Sequence, residues 1–294
     1  MRGKRNLTVG TGLWMLVLCA GAIASAQSQQ GGQSQPPQQQ QQQPDKDKPN
    51  PAPLKMDNSA PAPTTPASPE EESSYKALQQ TTDLNKKIQL AEEFLQKYPQ
   101  SRYRPAAYQN LVTGYFATQQ IPKMLEAGEK EIELNPNDAP ILAVMGQTLA
   151  RSYNAKAPDA EQQLNKAEQY SKRAIEVTPT LPKPDTLTEE AFNTAKNDTL
   201  AMAHGGLGLV FIRRGKFSEA IPELEQSVKT DPHPDPDPVN YYLLGVADKQ
   251  TSHFDKAAEA FKKCASVQSS LQQTCKTNEE DAKKKSSTEL SAPN

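Results

Sequence analysis

The sequence predicts an all-α superhelical solenoid of about five helix-turn-helix repeats with a C-terminal capping helix, preceded by a signal peptide and a disordered Gln/Pro-rich linker. Three observations carry this expectation. Apolar residues recur at helical spacing in paired blocks, and the second block of each pair stops at a proline: Pro99, Pro136, Pro179 and Pro232. Hydrophobic residues make up 35% of the 294, few for a globule but enough for one buried stripe per helix. Pro, Gln and Ser crowd into the first quarter, so the foldable length is about 220 residues.

Residues 1–26 have the three parts of a secretory signal: basic Arg2, Lys4 and Arg5, an apolar run from Leu13 to Ile23, and Ala24-Ser25-Ala26 before Gln27. An exported chain, periplasmic or secreted, is expected, with an uncut N-terminal signal anchor in the inner membrane as the alternative. Cys19 follows Leu18 where a bacterial lipoprotein has a small residue, so it is expected to leave with the leader. The net charge is −2, and removing the three leader cations leaves 30 basic against 35 acidic residues. With no basic excess to draw in phosphates, a nucleic-acid partner is not expected.

Residues 27–69 are Gln, Pro, Ser, Lys and Asp, with an unbroken run from Gln38 to Gln43 and spaced prolines at Pro51, Pro53, Pro61, Pro63, Pro66 and Pro69. Such a composition cannot bury a core. It reads as a solvated tether, spanning about 35 to 40 Å as a coil and about 130 Å if drawn out towards polyproline geometry.

The repeats are expected at residues 70–101, 105–138, 139–180, 201–234 and 238–268. The first carries Leu84, Ile88, Leu90-Ala91 and Phe94-Leu95 on its second helix. The second has Tyr108, Leu111 and Tyr115, then Ile121, Ile132 and Leu134, with Met124 and Gly128 as a large-for-small swap. Repeat three pairs Leu142, Met145-Gly146 and Leu149 with Ala167, Tyr170, Ala174 and Val177, and an insertion at Ser152 to Gln162 lengthens the turn between them. Thr188 is a plausible N-cap for a helix that runs on into repeat four through Ala191, Phe192, Ala195, Leu200 and Ala203. Repeat five has Tyr241, Leu244-Gly245, Phe254, Ala257 and Phe261, with Asp248 where an aromatic is expected. Residues 269–285 read as a capping helix with Ser269 and Gln272 spaced as a capping box. The remainder, 286–294, is expected to be disordered.

Residues Ala201 to Pro232 resemble a tetratricopeptide repeat, a family in which about 34 residues form two antiparallel helices. Leu207-Gly208, Phe211, Gly215, Ala220, Leu224 and Pro232 all fit one register of that pattern. The phrase FLQKYPQSRYRPAAY resembles the repeat boundary of exported tetratricopeptide proteins that serve outer-membrane assembly. PDPVNYYLLGVA, with FKKC and a second cysteine, is similar to exported acidobacterial members. The resemblance implies a concave groove lined by the first helices, which binds a protein or peptide. Carried across in that register, the groove residues are Gln109, Thr113 and Phe116 from repeat two, Gln147 and Arg151 from repeat three, Leu209 and Arg213 from repeat four, and Tyr242, Val246 and Lys249 from repeat five. Amides, cations and a few aromatics suit an extended peptide with an acidic or C-terminal group. For each residue the alternative is an ordinary solvated helix face.

Catalysis is not expected, nor any cofactor or metal. His204, His233 and His253 form no metal-ligand spacing, no nucleophile motif appears, and Gly205-Gly206 sit inside a helix and do not follow a strand. Cys264 and Cys275 remain after the leader, and in an oxidising compartment pairing is the simplest reading; a small buried residue at a helix contact is the alternative for Cys264. Two roles follow: an adaptor that binds proteins through the groove, or a structural envelope factor held to wall or outer membrane by its Gln/Pro tether.

Overall fold

The computed structural model describes residues 67–290 except residue 235, with side chains through 288. The expected signal peptide, almost all of the tether and the last four residues lie outside the described residues. Eleven α-helices follow one another without a strand among the described residues: α1 (Pro69–Gln80), α2 (Leu84–Lys97), α3 (Arg104–Ala117), α4 (Ile121–Leu134), α5 (Ala139–Arg151), α6 (Ala160–Val177), α7 (Glu189–Arg213), α8 (Phe217–Thr230), α9 (Pro238–Gln250), α10 (Phe254–Ser266) and α11 (Gln272–Leu290). A short 3-10 turn at Thr178–Thr180 ends α6. The helices pair as α1–α2 through α9–α10, and α11 packs on α10.

Local chemistry sets the helix starts. Ser68, Asp83, Asp138, Thr188 and Asp237 each accept a hydrogen bond from a backbone N–H of the first turn, and Pro105, Pro140 and Pro238 stand where a missing N–H costs nothing. Three hairpin turns share one hydrogen-bond pattern. The Gln120 N–H donates to Tyr115 O at 2.8 Å, the Lys216 N–H to Phe211 O at 2.9 Å and the His253 N–H to Asp248 O at 2.8 Å. A second bond in each runs from the preceding residue, Gln119, Gly215 or Ser252, back three positions. These are Schellman turns, and their pivots have positive φ: 58° at Gln119, 72° at Gly215 and 63° at Ser252.

One apolar core runs from Leu78 to Ala260, with Phe94, Leu111, Met124, Leu142, Met145, Leu164, Leu207, Val210 and Leu224 among its buried members. Glycine permits close helix approach. A Cβ at Gly206 of α7 would stand 3.0 Å from the Gln147 backbone of α5, so no side chain fits between these two helices.

Two expectations at the C-terminus are corrected. The capping box is not formed: Ser269 Oγ accepts from the Leu271 N–H at 3.3 Å, and the Gln272 amide instead donates to Ala265 O at 3.1 Å, so α11 starts at Gln272. The helix also continues through Ser286 to Leu290, where disorder was expected. Contacts to α10 explain the extension, because Ser286 bonds Asp255 and the Lys285 ammonium lies 5.8 Å from the Phe254 ring centroid. Cys264 and Cys275 are disulfide-bonded and buried, joining α10 to α11.

Candidate partner-binding face

The ten residues carried across from the repeat register lie on α3, α5, α7 and α9, the first helices of successive hairpins. Their environments differ sharply. Gln109 donates through Nε2 to Asp138 Oδ2 at 2.5 Å, while Asp138 Oδ1 accepts from the Ile141 N–H at 3.1 Å, so Gln109 ties α3 to the start of α5. Beside them Glu131 is fully buried. Burial first, and the neighbouring Asp138 carboxylate next, push its pKa up to about 10, which leaves it neutral at pH 7. Thr113 is spent on its own helix, donating to Gln109 O at 3.0 Å. Phe116 is half-buried against the core and Gln147 is half-buried alongside Gly206.

Leu209 does not line an open face: it is 5% exposed and belongs to the main core. Tyr242 and Val246 pack against the cluster of Ala257, Ala258, Phe261 and Ala282, with the Tyr242 and Phe261 rings 6.0 Å apart. They serve the junction between the last hairpin and its cap.

The three cations separate cleanly. Arg151 pairs with Asp237 Oδ2 at 2.6 Å. Lys249 pairs with Asp281 Oδ2 at 2.7 Å and also reaches Asn278 Oδ1 at 3.2 Å, both on α11; that contact holds the Asp281 carboxyl below its ordinary range. Arg213 is exposed, and its guanidinium lies 5.8 Å from the ring centroid of Tyr153, with no carboxylate in ion-pair range among the described residues. Its neighbour Arg214 is the structural one, donating to Glu168 at 2.5 Å, Asn165 at 2.6 Å and Glu161 at 3.0 Å and so fixing α6 to α7.

The structure thus brings Arg213 and Tyr153 together at the C-terminal ends of α5 and α7, with Arg151 two residues before Tyr153. Tyr153 was missed at the sequence level because it falls in the insertion after α5, outside the repeat register; its position two residues after Arg151 was the available signal. An arginine held over an aromatic ring is pre-oriented to receive a carboxylate. Among the described residues no group of three or more His, Cys, Asp or Glu is placed to hold a metal ion, and no helix is long and apolar enough to cross a membrane.

Residues 239–270, which span α9, the turn and α10, match the family described as Tetratricopeptide repeat. The chain carries a tetratricopeptide repeat. Its glycine at the helix contact is Gly245, where an added Cβ would stand 2.8 Å from the Phe261 ring. Solved structures similar to this chain include "MamA RS-1 ArsTM double mutant", at 14% identity and a TM-score of 0.48, covering 67% of this chain and 93% of that one. YrrB, titled a TPR protein with an unusual peptide-binding site, gives 17% and 0.47, covering 73% and 95%. TTC0263, a thermophilic TPR protein in Thermus thermophilus, gives 18% and 0.44, covering 72% and 98%. No curated protein matches the sequence.

Proposed function

We propose that this chain is a non-catalytic protein-protein interaction scaffold of the cell envelope, which binds an extended peptide or protein segment bearing a carboxylate across the C-terminal ends of α5 and α7. The observation that carries the reading is Arg213. Of the three cations expected on the first-helix face, Arg151 and Lys249 are neutralised by Asp237 and Asp281, and Arg213 stands exposed over Tyr153 without an acid. A charge-assisted bond to a ligand carboxylate uses that geometry, and the Tyr153 ring limits the rotamer freedom lost on binding. Phe116 and Gln147, half-buried on neighbouring first helices, extend the contact as an aromatic and an amide.

The setting rests on the leader-like residues 1–26 and the Gln/Pro stretch after them, which suit an exported, tethered protein. Capture from envelope extracts with wild type, Arg213→Glu and Arg213→Lys tests the reading. The expected pattern is at least tenfold less of one specific protein with the glutamate and partial retention with the lysine. Equal capture by all three folded proteins contradicts it.

A further inference from the structure

The long helix α7 begins about three turns before the part that packs into repeat four, and this extension creates a second feature that the partner-binding face does not use. Its N-terminal half, the linker after α6 and the start of α5 enclose a cleft of about 230 Å³, lined by Pro140, Leu181, Pro182, Leu187, Phe192 and Ala195. Phe192 is half-buried, with the Lys196 ammonium 5.3 Å from its ring centroid; Lys196 is itself fixed by donating to Pro179 O at 3.1 Å. An aromatic ring walled by prolines, with a cation at the rim, is the chemistry that accepts an extended proline-rich chain, which has little conformational entropy left to lose.

The chain supplies such a segment itself. Residues 49–66 hold prolines at 49, 51, 53, 61, 63 and 66, with Leu54 and Met56 as the large apolar residues among them. They lead directly to Ser68, which caps α1. That cap stands at the edge of the solenoid where second helices end and first helices begin, because Glu72 in the first turn of α1 pairs with Arg102, between α2 and α3, at 2.8 Å. The cleft lies along the same edge, at the starts of α5 and α7. Neighbouring helices pack about 8 to 10 Å apart, so two hairpins along this edge are about 20 to 30 Å. A polyproline rise of about 3.1 Å per residue carries the stretch from Leu54 to Ala67 about 40 Å, which is enough. Tethering raises the local concentration of the segment to about the millimolar range, so a weak apolar contact suffices.

We propose that residues 49–66 dock back along this edge and seat Leu54 in the cleft beside Phe192, so that the rest of the tether leaves the solenoid from repeats three and four. The test places the photoreactive residue p-benzoylphenylalanine at Leu54 of the full chain, and at Gln40 as a control, in an equal mixture of unlabelled and nitrogen-15-labelled protein, with crosslinks mapped by mass spectrometry. The expected result is crosslinking from Leu54 to residues 181–195 within one chain, none from Gln40, and at least a fivefold fall in Leu187→Asp. Because Phe192→Asp could disturb α7, the linker variant carries the test and its circular dichroism melt confirms folding. Mixed-isotope crosslinks would make a second copy the occupant and overturn the proposal. Crosslinks scattered over the surface, or unchanged in Leu187→Asp, would also overturn it.

Discussion

The Arg151 guanidinium meets the Asp237 carboxylate at 2.6 Å, joining the end of α5 in repeat three to the cap of α9 in repeat five, with repeat four between them in the chain. Asp237 also accepts from the Val239 N–H at 2.9 Å, so one side chain caps a helix and ties two hairpins that are not adjacent in sequence. Asp237→Ala is expected to lower stability by about 1 to 2 kcal/mol, and Arg151→Gln by only about 0.5 kcal/mol, since the arginine is partly exposed and its loss leaves the cap intact. Urea unfolding of the two variants gives the comparison.

The three Schellman turns yield a prediction of opposite signs. Gly215 takes its left-handed conformation without steric cost, whereas Gln119 and Ser252 hold φ of 58° and 63° with a side chain attached. Gln119→Gly and Ser252→Gly are expected to stabilise by about 0.5 to 1 kcal/mol each, and Gly215→Ala to destabilise by about 1 kcal/mol. Thermal melts suffice to detect both directions.

Stability should fall as pH rises. Burial, only partly offset by Lys256 and His253, raises the Asp248 carboxyl from its ordinary 3.8 to about 6. The folded chain therefore holds a proton between pH 4 and 6 that the unfolded chain has released, and stability is lost across that window, by on the order of 2 to 3 kcal/mol. Glu131, raised from 4.5 to about 10, adds a decline of its own that starts near pH 4.5, overlaps that of Asp248 and continues to alkaline pH. Asp248→Asn is expected to reduce the slope between about pH 4 and 6 only, and Glu131→Gln to reduce it from about pH 4.5 upward across the rest of the range, read from unfolding midpoints between pH 4 and 9.

Reduction of the Cys264–Cys275 disulfide opens a loop with a sequence separation of 11. A loss of roughly 2 to 3 kcal/mol is expected on the chain-entropy account. Its first structural consequence is expected in α11, whose amides should gain hydrogen exchange before those of α5 and α7.

Much of the fold was legible because it depends on local signals. Prolines and caps punctuate the helices, and Leu207-Gly208 with Gly215 fix one repeat register that extends along the chain. The turn pivots at Gln119 and Ser252 were not legible, since neither residue type advertises positive φ. The surroundings of the ten candidate residues were legible only in part. Helical periodicity says which residues share a side, but not that neighbouring helices cover Leu209 in the main core or that α11 brings Asp281 against Lys249. Both effects come from neighbouring helices. Tyr153 lies in an insertion where no register applies, so its place beneath Arg213 required the structure.

The central claim, that the first-helix face around Arg213 is the working surface, is tested most directly by in-cell photo-crosslinking from Phe116, with Lys229 on the second helix of repeat four as the control. Each probe is compared in the wild-type and Arg213→Glu backgrounds. The account predicts one discrete partner captured from Phe116, absent from Lys229 and lost in Arg213→Glu although that variant melts normally. Equal, diffuse capture from both positions, or capture from Phe116 undiminished by Arg213→Glu, would contradict it.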